Sequence, residues 1–369
     1  MDAALSEVLG VYDAKAPLEK AWTIPAPWYV DPRVADLERR TVFSRTWQMV
    51  GRADQVALPG HFFTAEVAGE PILVARGQDG LVRAFFNVCR HHAAAVEPRA
   101  EGKTHLFRCP YHGWTYALDG ELKGMPDFAG VCDFEKTSNG LARVEVAEWE
   151  KFVFVRLEPG GPPLPEYLGD LVGQFSPLGL GRYHFVERRL YPFDCNWKVF
   201  VDNYLDGGYH VPHLHKGLSS VLDYSQYTIS NGARYCLQQS PITHENARED
   251  VAAVRTGEKA LYYWLYPNFM VNWYEGVMDT NLVLPLSAGK SLVIFDFYFT
   301  DVSTPEAIAR NKASIDVGNK VQDEDIAICH SVQKGLSSRA YVAGRLSVRR
   351  ETGEHLFHRL LAADLRAGL

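Results

Sequence analysis

The sequence contains no apolar run approaching the roughly 20 residues that a bilayer-spanning helix requires, so no membrane segment is expected. Its opening residues, MDAALSEVLGVYDAKAPLEK, lack the basic start and apolar core of a secretory signal, which leads to the expectation of a cytoplasmic protein. Cationic excess is missing as well. Lys plus Arg number 38 against 45 Asp plus Glu, a formal charge of −7. That balance removes the electrostatic drive toward phosphate backbones and excludes general nucleic-acid binding. Cysteine is scarce, with six in 369 residues. A disulfide scaffold is thereby excluded, and any specially placed thiol is expected to serve metal or redox chemistry in a reducing compartment. No GxGxxG or other flavin or nicotinamide fingerprint occurs, so the chain is not expected to collect hydride electrons itself. Internal repeats and low-complexity tracts are also missing.

What is present reads as an α+β enzyme too long for one ordinary core. The run Glu158-Pro-Gly-Gly-Pro-Pro-Leu-Pro-Glu166 cannot continue a helix or a central strand and divides the chain. Before it, short apolar runs such as Pro71–Ala75 and Phe152–Leu157 alternate with glycine-containing turns, the pattern of a small all-β domain. The expected organisation is a partly helical segment over 1–44, a β domain over 45–158, a linker over 159–167 and a second domain over 168–369. In the first segment Asp31-Pro32 starts a turn and Val34, Leu37 and Val42 form a loose helical stripe. After the linker a helix is expected near Trp197–Leu205, with strands at Leu261–Tyr266, Asn281–Leu286 and Ser291–Thr300. Thr304-Pro305-Glu306 then opens a long helix that Gly335 ends, with Gly318 a point for a kink or break.

The strongest chemical signal is Cys89-Arg-His91, followed after 17 residues by Cys109-Pro-Tyr-His112. Two thiolates and two imidazoles from neighbouring loops suit a structural zinc ion. They also suit a [2Fe–2S] cluster with two Cys on one iron and two His on the other. Gly113 sits where a tight loop needs it, and the aromatics of CPYHGWTY at 109–116 shield the centre. This pattern resembles the Rieske non-haem iron oxygenase family, in which Cys89, His91, Cys109 and His112 would hold the cluster. His92 is expected to point away from its neighbour, because adjacent side chains on an extended loop diverge. Cys132, Cys195, Cys236 and Cys329 have no metal-like spacing and read as buried apolar thiols.

A second centre is suggested by the segment from Asp202 to His215. Two imidazoles and one carboxylate that leave coordination positions open form the facial triad of non-haem Fe(II) oxygenases. Asp202, Asp206 and His210 recur every four residues, as on one helical face. His210 and His215, about 140° apart on an ideal helix, reach one metal only if the helix is distorted, for which Gly207-Gly208 and Pro212 give the means. His213 competes with His215. On the long helix Val317, Val321, Ile328 and Val332 form an apolar stripe that includes Asp325, with Glu324 at its edge and Asp323 opposite. A carboxylate in such a stripe needs a strong partner, either a metal or a buried cation.

The resemblance selects His210, His215 and Asp325 as iron ligands. It implies that Asp206, or alternatively Asp202, bridges to a cluster histidine of a neighbouring subunit in a head-to-tail homotrimer. Most relatives place that acid three residues before the histidine; here the gap is four. The resemblance extends from Trp47-Gln-Met-Val-Gly51 to Ala340–Arg345. Within it, DCNWKVFVDNYLDGGYHVP at 194–212 and SVQKGLSSRAYVAGR at 331–345 look like the choline monooxygenase branch, with its glycine betaine and carnitine oxygenase relatives. His330 stands where these relatives usually carry Glu. The implied fold is an all-β Rieske domain plus a helix-grip (START-like) catalytic domain with an antiparallel sheet.

The implied activity is that of a terminal oxygenase using O2 and a mononuclear Fe(II). NAD(P)H would act only through a separate flavin and iron–sulfur reductase or ferredoxin. The expected substrate is a quaternary ammonium compound such as choline, betaine or carnitine. Aromatic faces over 261–274 could bind such a cation, and Trp264, Tyr266 and Tyr204 are the candidate contacts; in a strand Tyr262, Trp264 and Tyr266 share a face. The plainer alternative is that these are core aromatics. Other readings are an oxygenase of aromatic or hydrophobic substrates, and a Rieske electron carrier fused to a ligand-binding domain.

Overall fold

A computed structural model of the chain describes residues 3–243, 245 and 247–369. These form two compact units, one of Phe43–Tyr167 and one of the residues up to Val42 with Leu168–Leu369.

The first unit is built on strands β1 (Gln48–Arg52), β2 (His61–Val67), β3 (Glu70–Arg76), β4 (Val82–Phe86), β5 (Glu101–Lys103), β9 (Arg143–Trp149) and β10 (Phe152–Arg156), joined as β1-β10-β9-β4-β3-β2-β5. A smaller sheet carries β6 (Phe107–Arg108), β7 (Thr115–Tyr116) and β8 (Leu122–Gly124). All the pairings are antiparallel. Phe62, Leu73, Phe85, Phe107 and Leu122 pack into one core that reaches Cys89 and Cys109. The cysteine-bearing loops therefore rest on a rigid base. A short helix, Leu164–Leu168, begins inside the stretch read as linker.

In the second unit, α1 (Ala3–Gly10) and α2 (Pro32–Glu38) come first; the Asp31 carboxylate caps α2 by accepting from the Arg33 backbone N–H. Strands β11 (His184–Phe193), β12 (Thr228–Asn231), β13 (Tyr235–Pro241), β14 (Lys259–Leu265), β15 (Phe269–Tyr274), β16 (Val277–Ser287) and β17 (Lys290–Phe299) form one antiparallel sheet, ordered β11-β17-β16-β15-β14-β13-β12. β12 to β17 run as a meander, and β11 pairs with β17. Helices α3 (Trp197–Leu205), α4 (Pro305–Leu336) and α5 (Thr352–Arg366) accompany it.

The start of α4 follows the sequence pattern: Thr304 Oγ1 accepts from the Ala307 backbone N–H, and Pro305 occupies the first turn. Gly318 neither kinks nor breaks the helix, which is continuous from Pro305 to Leu336. A Cβ at this position would meet the Phe297 ring at 3.3 Å, so the glycine serves a close approach of helix to sheet. The buried stripe of α4 differs from the expected one. It runs through Asn311, Ile315, Gln322, Asp325 and Cys329, whereas Ile328 and Val332 are exposed. Asp325 lies on both.

Candidate metal centres and an adjoining cavity

In the β unit, the first loop follows β4 and is pinned by Asn87, whose Oδ1 accepts from the Val96 and Glu97 backbone N–H groups at 3.0 Å. The second lies between β6 and β7. It closes tightly, with the Cys109 N–H donating to Trp114 O and the Gly113 N–H donating to Cys109 O, and Gly113 takes the positive φ that the turn requires. Cys89 and Cys109 are buried, and their thiols adjoin. Burial raises the Cys109 thiol pKa, while the backbone N–H groups of Tyr111 and His112 act in the opposite sense. The His91 and His112 rings lie 4.7 Å apart, and His91 stacks on Trp114 at 4.7 Å and 5°. His91 Nδ1 is buried without a hydrogen-bond partner. Two adjoining thiols, two adjoining imidazoles and this orphaned ring nitrogen fit a cluster held by two sulfurs and two nitrogens. Tyr116 Oη lies 3.4 Å from Cys89 Sγ and accepts from the Arg90 N–H at 3.1 Å. His92 does not point away: its ring is 4.1 Å from that of His91. The loop there is a turn rather than an extended strand, so the alternation rule does not apply. His112 and Tyr111 are exposed at the tip.

In the second unit, α3 ends at Leu205 and the chain then reverses through Gly207 and Gly208, both in the left-handed region at φ 69° and 67°. A Cβ on Gly207 would clash with Arg350 O at 2.1 Å. Asp202, Asp206 and His210 therefore do not share one helical face. Asp206 caps the reversal: its carboxylate accepts from the Tyr209 and His210 backbone N–H groups and lies 2.6 Å from His210 Nδ1. Asp202 is turned elsewhere, accepting from Tyr29 Oη at 2.6 Å and lying 3.0 Å from His358 Nε2. Both its oxygens are engaged, which makes it a poor alternative bridge.

A short turn, Val211–Leu214, with Pro212 in its first turn, then delivers His215 inward and leaves His213 exposed. The His210 and His215 rings are 4.8 Å apart at 81°, and His215 Nε2 lies 3.1 Å from Asp325 Oδ1. One donor atom from each of His210, His215 and Asp325 lies within 4.8 Å of the others. Each of the three side chains is braced by a neighbour. Asp206 takes His210 Nδ1, Glu324 Oε2 takes His215 Nδ1 at 2.7 Å, and Asn203 Nδ2 donates to Asp325 Oδ1 at 2.9 Å. Burial lowers the His215 pKa, but hydrogen bonds and charge from Asp325 and Glu324 more than offset this and leave it raised. Two imidazoles and a carboxylate, with room beside them, are the donor set of a ferrous facial triad.

The triad opens on a cavity walled by Phe200, Tyr204, Tyr227, Tyr262, Tyr274 and Phe295. Burial holds the phenols of Tyr204, Tyr227 and Tyr262 well above their ordinary pKa, so these hydroxyls stay neutral. Polar groups also reach it: Asn272, Asp279, Asn281, Arg255 and Gln322. Tyr204 thus stands at the cavity, but Trp264 and Tyr266 do not. Trp264 is fully buried, donates Nε1–H to Pro267 O and packs edge-on against Phe357 of α5. Tyr266 Oη donates to Asp364 of the same helix. Tyr262 does share their strand face, but α5 covers the far part of it. His330 Nε2 accepts from the Asp194 N–H at 2.9 Å, a backbone-pinning role.

A model of the ring-hydroxylating alpha subunit catalytic domain matches residues 180–367, and one of the Rieske [2Fe–2S] domain matches 46–135. Choline monooxygenase, chloroplastic, of Arabidopsis thaliana is 40% identical over 98% of this chain and 87% of its own length. The carnitine monooxygenase oxygenase subunit of Escherichia coli (strain K12) is 31% identical over 93% of this chain and 94% of its own. A quaternary ammonium Rieske monooxygenase solved with L-carnitine superposes with a TM-score of 0.82 at 28% identity, covering 94% of this chain and 96% of that one. Naphthalene 1,2-dioxygenase from Rhodococcus sp., at 20% identity over 99% of both chains and a TM-score of 0.82, shares the fold.

Proposed function

The chain belongs to the Rieske non-haem iron oxygenases, as a terminal oxygenase (alpha) subunit of the choline and carnitine monooxygenase branch, and from that premise we propose that it hydroxylates a small quaternary ammonium compound. It is an oxidoreductase that carries a Rieske [2Fe–2S] cluster and a mononuclear iron, uses O2 and works with a separate reductase. When bound, the cluster supplies electrons singly and the ferrous ion activates O2 beside the substrate. Overall, one oxygen atom would enter a C–H bond next to nitrogen or oxygen while the other leaves as water, with two electrons and two protons delivered by way of the reductase.

The observation that carries this reading is the convergence of His210, His215 and Asp325 at the mouth of an aromatic-walled cavity. In our reading Cys89, His91, Cys109 and His112 hold the cluster. Asp206 orients His210 through Nδ1 and passes electrons from the cluster of a neighbouring subunit, and Asp325 and His215 complete the iron site. Support for the bridge comes from the exposed His112 at the cluster tip and the hydrogen bond from Asp206 to a proposed ligand. The tyrosine faces of the cavity attract a quaternary ammonium, whose charge is spread over methyl groups that hydrogen-bond poorly. We also propose a head-to-tail homotrimer in the cytoplasm. No described helix is long and apolar enough to cross a membrane, and the six cysteines form no disulfide; Cys195, Cys236 and Cys329 are buried as expected, whereas Cys132 is exposed.

Oxygen uptake matched to product, with a generic reductase and a panel of choline, glycine betaine, carnitine and simple aromatic acids, tests the substrate class. Uptake confined to the aromatic acids overturns it. Metal analysis giving about two irons per chain rather than about three would mark an electron carrier. An active monomer by light scattering would remove the trimer.

A further inference from the structure

Gln322 is 1% exposed and lines the cavity, yet neither its amide oxygen nor its amide nitrogen has a hydrogen-bond partner. Buried amides are almost always satisfied, and a carboxamide that offers a free acceptor and a free donor together asks for a group that both donates and accepts. A hydroxyl does both. A carboxylate only accepts, and would leave the amide oxygen facing another oxygen. Position matters too. Gln322 precedes Asp325 by three residues on α4, which places it on the same helical face with about 4.5 Å of rise between them. A group held by Gln322 therefore lies one turn from the iron site, at the reacting carbon or next to it.

We infer that Gln322 is the specificity residue that holds the substrate's hydroxyl, so that the preferred substrate is a quaternary ammonium alcohol rather than a quaternary ammonium carboxylate. The inference rests on the quaternary ammonium reading given above. Arg255, the other cavity residue with an orphaned nitrogen, does not reverse it. Its Nη1 already donates to Ser314 Oγ, its guanidinium lies 4.9 Å from the Tyr274 ring centre, and Asp279 on the same wall opposes its charge. Of its nitrogens, Nη1 is committed to Ser314 and Nε is orphaned, and the guanidinium is already partly engaged by Asp279 and the Tyr274 ring. Asp279, whose pKa is raised by burial and whose carboxyl is held by Asn272 and Asn281, shares this wall with Arg255.

The test is isothermal titration of the iron-loaded full chain with choline, its hydroxyl-free analogue trimethyl(propyl)ammonium, and glycine betaine. Wild type should bind choline about tenfold or more tighter than either of the others, the size expected when one buried hydrogen-bonding group goes unmet. Gln322→Met and Gln322→Leu, two apolar replacements of different shape, should weaken choline to the level of the analogue. The analogue's own affinity should stay within about twofold, a pattern that general damage to the fold would not produce. Equal binding of choline and analogue by wild type overturns the role of Gln322 alone, as does a preference that survives both substitutions. Tightest binding of glycine betaine, lost in Arg255→Met, would transfer the role to Arg255. If wild type binds no quaternary ammonium compound, the substrate class falls and this inference with it.

Discussion

Glu324 offers the sharpest check on the proposed iron site, because its carboxylate touches a proposed ligand and nothing else in the triad. Its Oε2 sits 2.7 Å from His215 Nδ1, fixing the tautomer that presents Nε2 toward Asp325. Loss of such a partner typically weakens metal binding 10- to 100-fold, or about 1.4–2.7 kcal/mol. Two features place the expected effect near the lower end. The Glu324 side chain is 31% exposed, so water can take over the hydrogen bond in its absence. The His215 ring is only 2% exposed and stays confined by its packing. Glu324→Ala should therefore bind ferrous iron about tenfold more weakly, whereas Glu324→Gln, which keeps an acceptor oxygen, should lose only a few-fold. Anaerobic competition against a ferrous chelator reads the affinity. The visible absorption of the cluster, bound in the other unit, serves as the internal control and should not change. Unaltered iron affinity in Glu324→Ala would refute the claim that His215 is a ligand oriented from behind.

Asp206→Asn should leave both metal centres loaded but slow reoxidation of the reduced cluster by substrate and O2, since the amide can still brace His210; rapid-mixing spectroscopy showing the wild-type rate would dismiss the bridging role. Tyr116→Phe should lower the cluster potential by up to about 60 mV, the equivalent of 1.4 kcal/mol for one electron. The hydroxyl beside Cys89 Sγ favours the more negative, reduced state, and a redox titration reads the change. Burial, and then the charge of Asp202, raises the Glu354 pKa well above its ordinary value, so above about pH 4.5 the folded state keeps a proton that the unfolded chain has released. Stability is then lost as pH rises, by up to about 1.4 kcal/mol per pH unit. Glu354→Gln should be the more stable protein at neutral pH, with an advantage over wild type that grows between pH 5 and 8 in denaturant titrations. A constant difference would show that Glu354 is already ionised in the fold.

Which parts of the site could be read from the sequence follows from how far apart its residues lie along the chain. The cluster residues come in local pairs, Cys89 with His91 and Cys109 with His112, and each pair sits on one tight loop. Local spacing is enough to single them out as candidates. The same holds for His210 and His215, where the distortion expected at Gly207-Gly208 is present: two left-handed glycines end α3 before His210, and what is lost is the expected shared face with Asp202. The expected stripe that contains Asp325 differs in register from the buried face of α4. Ile328 and Val332 face outward, and the true buried face runs through Gln322, Asp325 and Cys329. A shift of one residue along α4 barely moves a residue common to both stripes, but it hides Gln322 completely.

The cavity wall was the least legible part, for a topological reason. Tyr204 comes from α3, Tyr227 from the turn before β12, Tyr262 and Tyr274 from β14 and β15, and Phe295 from β17. Only the packing of distant helix, turn and strands assembles them. Period-two alternation correctly put Tyr262, Trp264 and Tyr266 on one face, but it says nothing about what covers each part of that face. Phe357 and Asp364 of α5, nearly a hundred residues later, take Trp264 and Tyr266 into the core and leave Tyr262 to the cavity. The second layer behind the triad shows the same split. Asp206 lies close enough in sequence to His210 to be suspected, whereas Glu324 reads in the sequence only as a carboxylate at the edge of the stripe, which pattern leaves as an alternative ligand to Asp325. Its purpose becomes visible once α4 is laid against the turn that carries His215. Local pattern thus names the atoms that would touch the metals, whereas the groups that orient those atoms, and the wall that chooses the substrate, come from contacts between distant segments.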